Sequence, residues 1–155
     1  ILGEGSEREM LEARIASQNV AEFVSMPGFV QNVGNYLKKA KVLALCSLYE
    51  GLPTVIVEAL ACGTQVVATR CHTGPEEILE SGRYGHLVLE GDEKGFRSAI
   101  VQAITNPKPR QLLISRSKDF SVSRAIDQYL IMIGLPEFCS DKDETPVPWK
   151  STPDW

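Results

Sequence analysis

Residues 47–79 read SLYEGLPTVIVEALACGTQVVATRCHTGPEEIL. Pro53 stands where proline opens a helix, TVIVEALAC continues as a nearly unbroken apolar run, and Gly63 offers the left-handed residue that closes it. QVVAT then reads as a short buried strand, and Pro75 opens a second, shorter helix. Immediately upstream, KVLALCS has the uninterrupted apolar run of a central strand buried on both faces. Strand and helix therefore alternate, which is the pattern of a parallel sheet covered by helices.

The alternation continues outward. Downstream, GHLVLEG predicts a further strand. Phe96, Ile100, Ala103 and Ile104 mark a helix, residues 110–118 another, and Ile126, Tyr129, Leu130 and Ile133 a last one. Upstream, Val33, Tyr36, Leu37 and Ala40 have the spacing of an amphipathic helix, and EFVSM predicts a short strand closed by Pro27 and Gly28. Ser6 and Glu9 form a capping-box pattern that opens a helix to about residue 17, with Met10, Leu11 and Ile15 as its apolar stripe. The expected fold class is α/β: a doubly wound, Rossmann-like parallel sheet over residues 1–135. "IL" before Gly3 reads as the tail of a strand, so the first strand and helix of such a domain are expected to precede Ile1. A sheet edge left open in this way predicts self-association of the chain.

Composition excludes several classes. The 155 residues carry 43% apolar and 23% charged side chains and a formal charge of −4, enough for an ordinary core. Residues 136–155 hold five acids, two bases, four of the nine prolines and both tryptophans, and are expected to form an acidic, proline-rich tail. The remaining fifteen acids and fourteen bases leave the body nearly neutral, without the basic stripe that nucleic acid or an anionic membrane surface requires. No apolar stretch approaches the roughly 18 residues of a membrane span. The N-terminus does not read as a signal peptide, so a cytoplasmic setting is expected. Cys46, Cys62 and Cys71 lie in apolar segments without zinc-type spacing and are expected to be reduced, mostly buried thiols.

Within residues 47–79 the oddity is a single charge. Glu58 interrupts an otherwise apolar helix, where an ionised carboxylate is expensive unless it is hydrogen-bonded or reaches a cleft. With the helix beginning at Pro53, Thr54 and Glu58 share a face, and the loop Glu50-Gly51-Leu52 lies over the start of that face. The free amides and positive dipole of the helix start suit a phosphate or diphosphate. The helix follows a parallel strand, so this mouth sits at the carboxyl edge of the sheet, where open α/β folds bind ligands. A carboxylate one turn deeper can accept hydrogen bonds from paired hydroxyls such as those of a ribose.

Glu50 and Glu58, followed by ALACGTQVVAT, resemble the paired-glutamate motif of retaining GT-B glycosyltransferases of family 4. TGPEEIL and GRYGHLVLEGD resemble that family in order and spacing, and the similarity runs over about residues 1–105. Among its members the bacterial enzymes of surface polysaccharide and lipopolysaccharide synthesis are the most similar. The resemblance implies a C-terminal half that binds a nucleoside-diphosphate sugar, uridine-linked, with no further cofactor and no metal. It implies that Glu50 holds hydroxyls of the transferred sugar and Glu58 those of the ribose. The amides of Leu52, Thr54 and Val55 would approach the diphosphate at Gly51 and Pro53, with proline donating nothing. Gly3 and Gly5 match the glycine-containing loop near the nucleotide, and Phe29 the segment that lines the base. The Arg and Lys that neutralise the leaving diphosphate in the family, and the N-terminal acceptor domain, do not appear in these residues. The chain by itself is therefore expected to bind donor without useful turnover. In the whole enzyme the acceptor is expected at the inner membrane face.

Other readings weigh against these. Glu76 and Glu77 follow Pro75 in a first helical turn, where the dipole alone accounts for at least one. His72 at the same sheet edge could face the sugar or the solvent. GEGSER has Arg8 where a dinucleotide fingerprint needs its third glycine. Asp141 and Asp143 stand in the tail rather than at a strand end, so no metal is expected there. The alternative from another class is a non-catalytic nucleotide-binding or interaction module on the same fold.

Overall fold

The computed structural model describes residues 1–71 and 73–136. Three parallel strands, β1 (Val42–Leu45), β2 (Gln65–Thr69) and β3 (His86–Val88), form a sheet in the order β1-β2-β3. The register pairs Val42 with Gln65 through Leu45 with Ala68, and Val67 with His86 through Thr69 with Val88. Helix α3 (Thr54–Ala61) connects β1 to β2, and the short α4 (Pro75–Leu79) leads from β2 towards β3. Helices α5 (Glu93–Thr105), α6 (Arg110–Ser117) and α7 (Val122–Met132) follow. Ahead of the sheet lie α1 (Arg8–Ser17) and α2 (Val33–Lys39).

β2 explains why the sheet is wound on both faces. All five of its residues are buried, and successive side chains point to opposite sides. Val66 and Ala68 join Leu37, Ile56, Ala59, Leu60, Ile78, Leu79 and Leu113 under α2, α3, α4 and α6. Val67 joins Val88, Ala99 and Ala103 under α5. Polar side chains lock the edges of this core. Gln65 exchanges two 3.0 Å hydrogen bonds with the main chain of Lys108, and Thr64 Oγ1 donates to the Leu37 carbonyl at 2.7 Å.

Several expectations are corrected. β1 is an edge strand rather than a central one. No strand lies on its far side among the described residues, and Ala44 is exposed. EFVSM is not a strand. Ala21–Phe23 form a single 3-10 turn, and the segment after it meets the N-terminus through the bond from the Ile1 amino group to the Ser25 carbonyl at 2.7 Å and one isolated parallel bridge between Leu2 and Gly28. The physical reason is shared: strand geometry is held by a neighbouring ladder, and neither segment has one on both sides. The Ser6–Glu9 capping box does not form, because Glu7 occupies the cap position and no side chain caps α1. Arg8 instead bridges Glu4 at 2.6 Å and Glu12 at 2.8 Å. The stripe Met10, Leu11 and Ile15 is not core, since α1 buries no residue. Tyr36 is exposed on α2, and α7 likewise leaves Ile126, Tyr129 and Ile133 exposed. Cys46 is exposed, Cys62 half-buried and only Cys71 buried. The tail expectation, apart from Pro136, falls outside the described residues.

Candidate functional site

The carboxyl ends of β1 and β2 open into two loops that meet. A cleft of about 260 Å³ lies between them, walled by Leu48, Tyr49, Glu50, Gly51, Cys71 and Thr73. Glu50 is half-buried in this wall, while Tyr49 beside it is 89% exposed at the rim. The loops are tied together by side chains of the second. Thr69 Oγ1 donates to the Ser47 carbonyl, Cys71 Sγ donates to the same oxygen at 3.2 Å, and Thr73 Oγ1 donates to the Glu50 carbonyl at 2.5 Å. Gly74 closes the seam at φ +69°, where an added Cβ would overlap the Gly51 carbonyl oxygen and come within 2.6 Å of Pro53 Cδ.

The start of α3 stands at the end of the first loop. Pro53, buried at φ −71° and ψ 91°, is the residue before the helix rather than its first turn. No side chain caps the helix and no acid lies in its first turn. The amides of Thr54 and Val55 thus have no partner within the helix, whereas the Ile56 amide is taken by the Pro53 carbonyl at 2.9 Å. An uncapped helix start without an acidic neighbour is a ready acceptor of an anion. Ile56, Ala59 and Leu60 face the core. Thr54 and Glu58 share the opposite, open face. Glu58 is therefore exposed, which corrects the expectation of a carboxylate embedded in apolar surroundings. A helix of eight residues that covers one face of a sheet leaves its other face to solvent, however apolar its sequence.

Residues 1–120 match the family model described as glycosyl transferases group 1. The chain belongs to this family. It is 31% identical over 137 residues to the Campylobacter jejuni GalNAc-alpha-(1->4)-GalNAc-alpha-(1->3)-diNAcBac-PP-undecaprenol alpha-1,4-N-acetyl-D-galactosaminyltransferase, covering 86% of this chain and 38% of that protein. It is 32% identical over 138 residues to the lipopolysaccharide core biosynthesis glycosyltransferase LpsE of Rhizobium meliloti, covering 86% of this chain and 40% of that one. The chain thus spans about two fifths of the length of these group 1 relatives. The apo form of the lipopolysaccharide outer core galactosyltransferase WaaB superimposes with a TM-score of 0.76 at 21% identity, over 86% of this chain and 39% of that one. Anabaena Alr3699/HepE in complex with UDP gives a TM-score of 0.70 at 23% identity, over 85% of this chain and 39% of that one. These likenesses establish the fold as that of GT-B glycosyltransferases.

Within this family framework the expected residues divide into groups. Glu50 and Gly51 line the cleft, with Leu52 exposed and Pro53 buried beside them. Thr54, Val55 and Glu58 lie on the helix that begins there. Gly3 and Phe29 come together elsewhere, through the bond from the Gly3 amide to the Gly28 carbonyl at 2.8 Å. Phe29 is 82% exposed and Gly5 has open space around it. None of these three is a wall of the cleft. His72 lies outside the described residues. Glu76 pairs with Arg70 at 3.5 Å, so the first turn of α4 serves an ion pair as well as a dipole. Among the described residues no group of three or more His, Cys, Asp or Glu converges as metal ligands would, and no helix is long and apolar enough to cross a membrane.

The residues missed in the sequence are Thr69, Cys71 and Thr73. They follow one another at every second position, and all three side chains donate to carbonyls of the loop that leaves β1. That alternation of donors was the available signal.

Proposed function

We propose that the chain is the donor-binding half of a retaining, family 4 glycosyltransferase that takes a nucleoside-diphosphate sugar, uridine-linked, and transfers its hexose to a polysaccharide, lipopolysaccharide or glycolipid acceptor. The observation that carries this reading is the meeting, at one sheet edge, of the Glu50 cleft with the uncapped start of α3 and the open face bearing Thr54 and Glu58. Family membership supports it, as does the structural likeness to HepE in its complex with UDP.

The chemistry follows from charge. The diphosphate lies against the Thr54 and Val55 amides, where the helix dipole stabilises the negative charge that grows as the glycosidic bond breaks. Leu52 adds a third amide and Gly51 lets the backbone approach. Glu58, one turn along, accepts hydrogen bonds from the ribose hydroxyls. Glu50 accepts from hydroxyls of the sugar and so fixes its anomeric carbon relative to the incoming acceptor oxygen. Attack on the same face that the diphosphate leaves gives retention without a covalent enzyme intermediate. Gly3, Gly5 and Phe29 would reach the nucleotide from the N-terminal bridge, and His72 the sugar from the second loop. The acceptor comes from a further domain, at the cytoplasmic face of the inner membrane.

Calorimetric titration with uridine and guanosine diphosphates tests the reading. Selective uridine diphosphate binding, weakened by about 1–3 kcal/mol in Glu58→Gln through loss of charged hydrogen bonds, is expected. Unchanged affinity in that variant removes Glu58 from the site, and no binding of either nucleotide favours an interaction module instead. Transfer of radiolabelled sugar by these 155 residues at the rate of a full-length relative would overturn the expectation that they bind donor without turnover.

A further inference from the structure

The Glu50 loop is shaped by its neighbour. Beyond the last ladder pair, Leu45 with Ala68, the ties recorded between the two loops among the described residues run from side chains of the second to carbonyls of the first. Thr69 and Cys71 both serve the Ser47 oxygen. Both lie in the buried floor and bond three residues short of Glu50. Thr73, which lines the cleft with Cys71 and Glu50, differs in being exposed and in that its hydroxyl holds the Glu50 carbonyl itself at 2.5 Å. Gly74 next to it leaves no room for the first loop to drift towards the second. Thr73 thus fixes the peptide plane from which the Glu50 side chain projects, while its own hydroxyl contributes nothing to the fold's interior.

We infer that Thr73 is a positioning residue for Glu50, setting how this carboxylate meets the hydroxyls of the donor sugar, and that it acts on the sugar rather than on the nucleotide. The inference rests on the donor-binding reading above. A side chain–main chain bond to a loop carbonyl restricts the carboxylate to one approach, and an acceptor held in place loses less freedom when it binds. The Thr73 hydroxyl bonds the Glu50 carbonyl rather than the Thr54 and Val55 amides or Glu58, the groups assigned to the nucleotide at α3.

The test is calorimetric titration of the chain and its Thr73→Val and Thr73→Ser variants with uridine diphosphate, and with the glucose, galactose, N-acetylglucosamine and N-acetylgalactosamine esters of it. The measured quantity is the affinity of the tightest ester relative to uridine diphosphate. Thr73→Val, which keeps the shape and removes the donor, is expected to lower this ratio about five-fold, the size of one net hydrogen bond. Its affinity for uridine diphosphate itself is expected to stay within about two-fold, since the hydroxyl bonds the Glu50 carbonyl and not the Thr54 and Val55 amides or Glu58, and Thr73→Ser is expected to restore the ratio. Far-UV circular dichroism establishes that each variant is folded, with Thr73→Ala standing in for Thr73→Val should that one not fold. Uridine diphosphate binding with a ratio unchanged in Thr73→Val, with both ligands weakened equally, or with no sugar contribution in the parent chain overturns this inference alone. A parent chain that binds no uridine diphosphate overturns the donor-binding reading and this inference together.

Discussion

Replacing Gly74 by alanine probes the seam between the two loops directly. The residue sits at φ +69° and ψ −81°, a conformation unfavourable to any residue with a Cβ. The strain alone is about 1–3 kcal/mol. The added methyl group also meets the Gly51 carbonyl oxygen and Pro53 Cδ, both parts of a main chain or ring that cannot rotate away. Forcing a methyl group into a packed contact of this kind adds about 1–3 kcal/mol. The expected loss is therefore about 2–6 kcal/mol, a large part of the roughly 5–15 kcal/mol that holds a domain of this size together. Gly91 provides the control. Its φ is also positive, +77°, but nothing lies within 4 Å of the position its Cβ would take, so Gly91→Ala carries a positive-φ cost without the collision. Urea unfolding followed by far-UV circular dichroism measures both. A Gly74→Ala midpoint well below that of Gly91→Ala, at an unchanged m-value, is expected. Equal midpoints would mean that the loops do not touch at Gly74 and that the cleft is not walled in this way.

Two further predictions concern the support of the site. Arg116, with only 12% of its side chain exposed, donates to the carbonyls of Glu77 at 2.7 Å and Ile78 at 2.9 Å, pairs with Glu80 and Asp119, and stacks on Tyr84 and Phe120. Arg116→Ala leaves the C-terminal carbonyls of α4 without this donor, and a loss of about 2–4 kcal/mol is expected by urea unfolding; a loss below about 1 kcal/mol would show the cluster to be solvated. His86 Nε2 is buried without a hydrogen-bond partner, and burial, with Lys108 nearby, lowers its pKa from the ordinary 6.5. Below that pH the unfolded chain takes up a proton that the folded one resists. The stability linked to His86 is thus complete above pH 6.5 and is lost as the pH falls through the window beneath it. His86→Gln should flatten the urea-midpoint profile between about pH 7 and pH 5, and identical slopes in the two proteins would refute the assignment.

The order of elements from Val33 to Met132 was legible in the chain. β2, α3, α4, α5, α6 and α7 fall where apolar period, Pro53, Gly63 and Pro75 predict them, because those signals are local. EFVSM and KVLALCS were read less well. The apolar run of a strand is the same whether the strand is central, at an edge or unpaired, and only its neighbours decide between these. Glu58 was misjudged for a related reason. Its helix has an apolar sequence all round, yet Ile56, Ala59 and Leu60 are the residues it buries, while Thr54 and Glu58 are exposed.

By itself the sequence determined the parallel α/β winding and the family resemblance, since each depends on residue type at short, fixed spacing. Tertiary structure alone decided that β1 is an edge, that Glu58 is open to solvent, and that Thr69, Cys71, Thr73 and Gly74 mould the loop carrying Glu50. Those contacts join residues more than twenty positions apart, and a hydrogen bond to a main-chain carbonyl leaves no mark on the identity of the residue that accepts it.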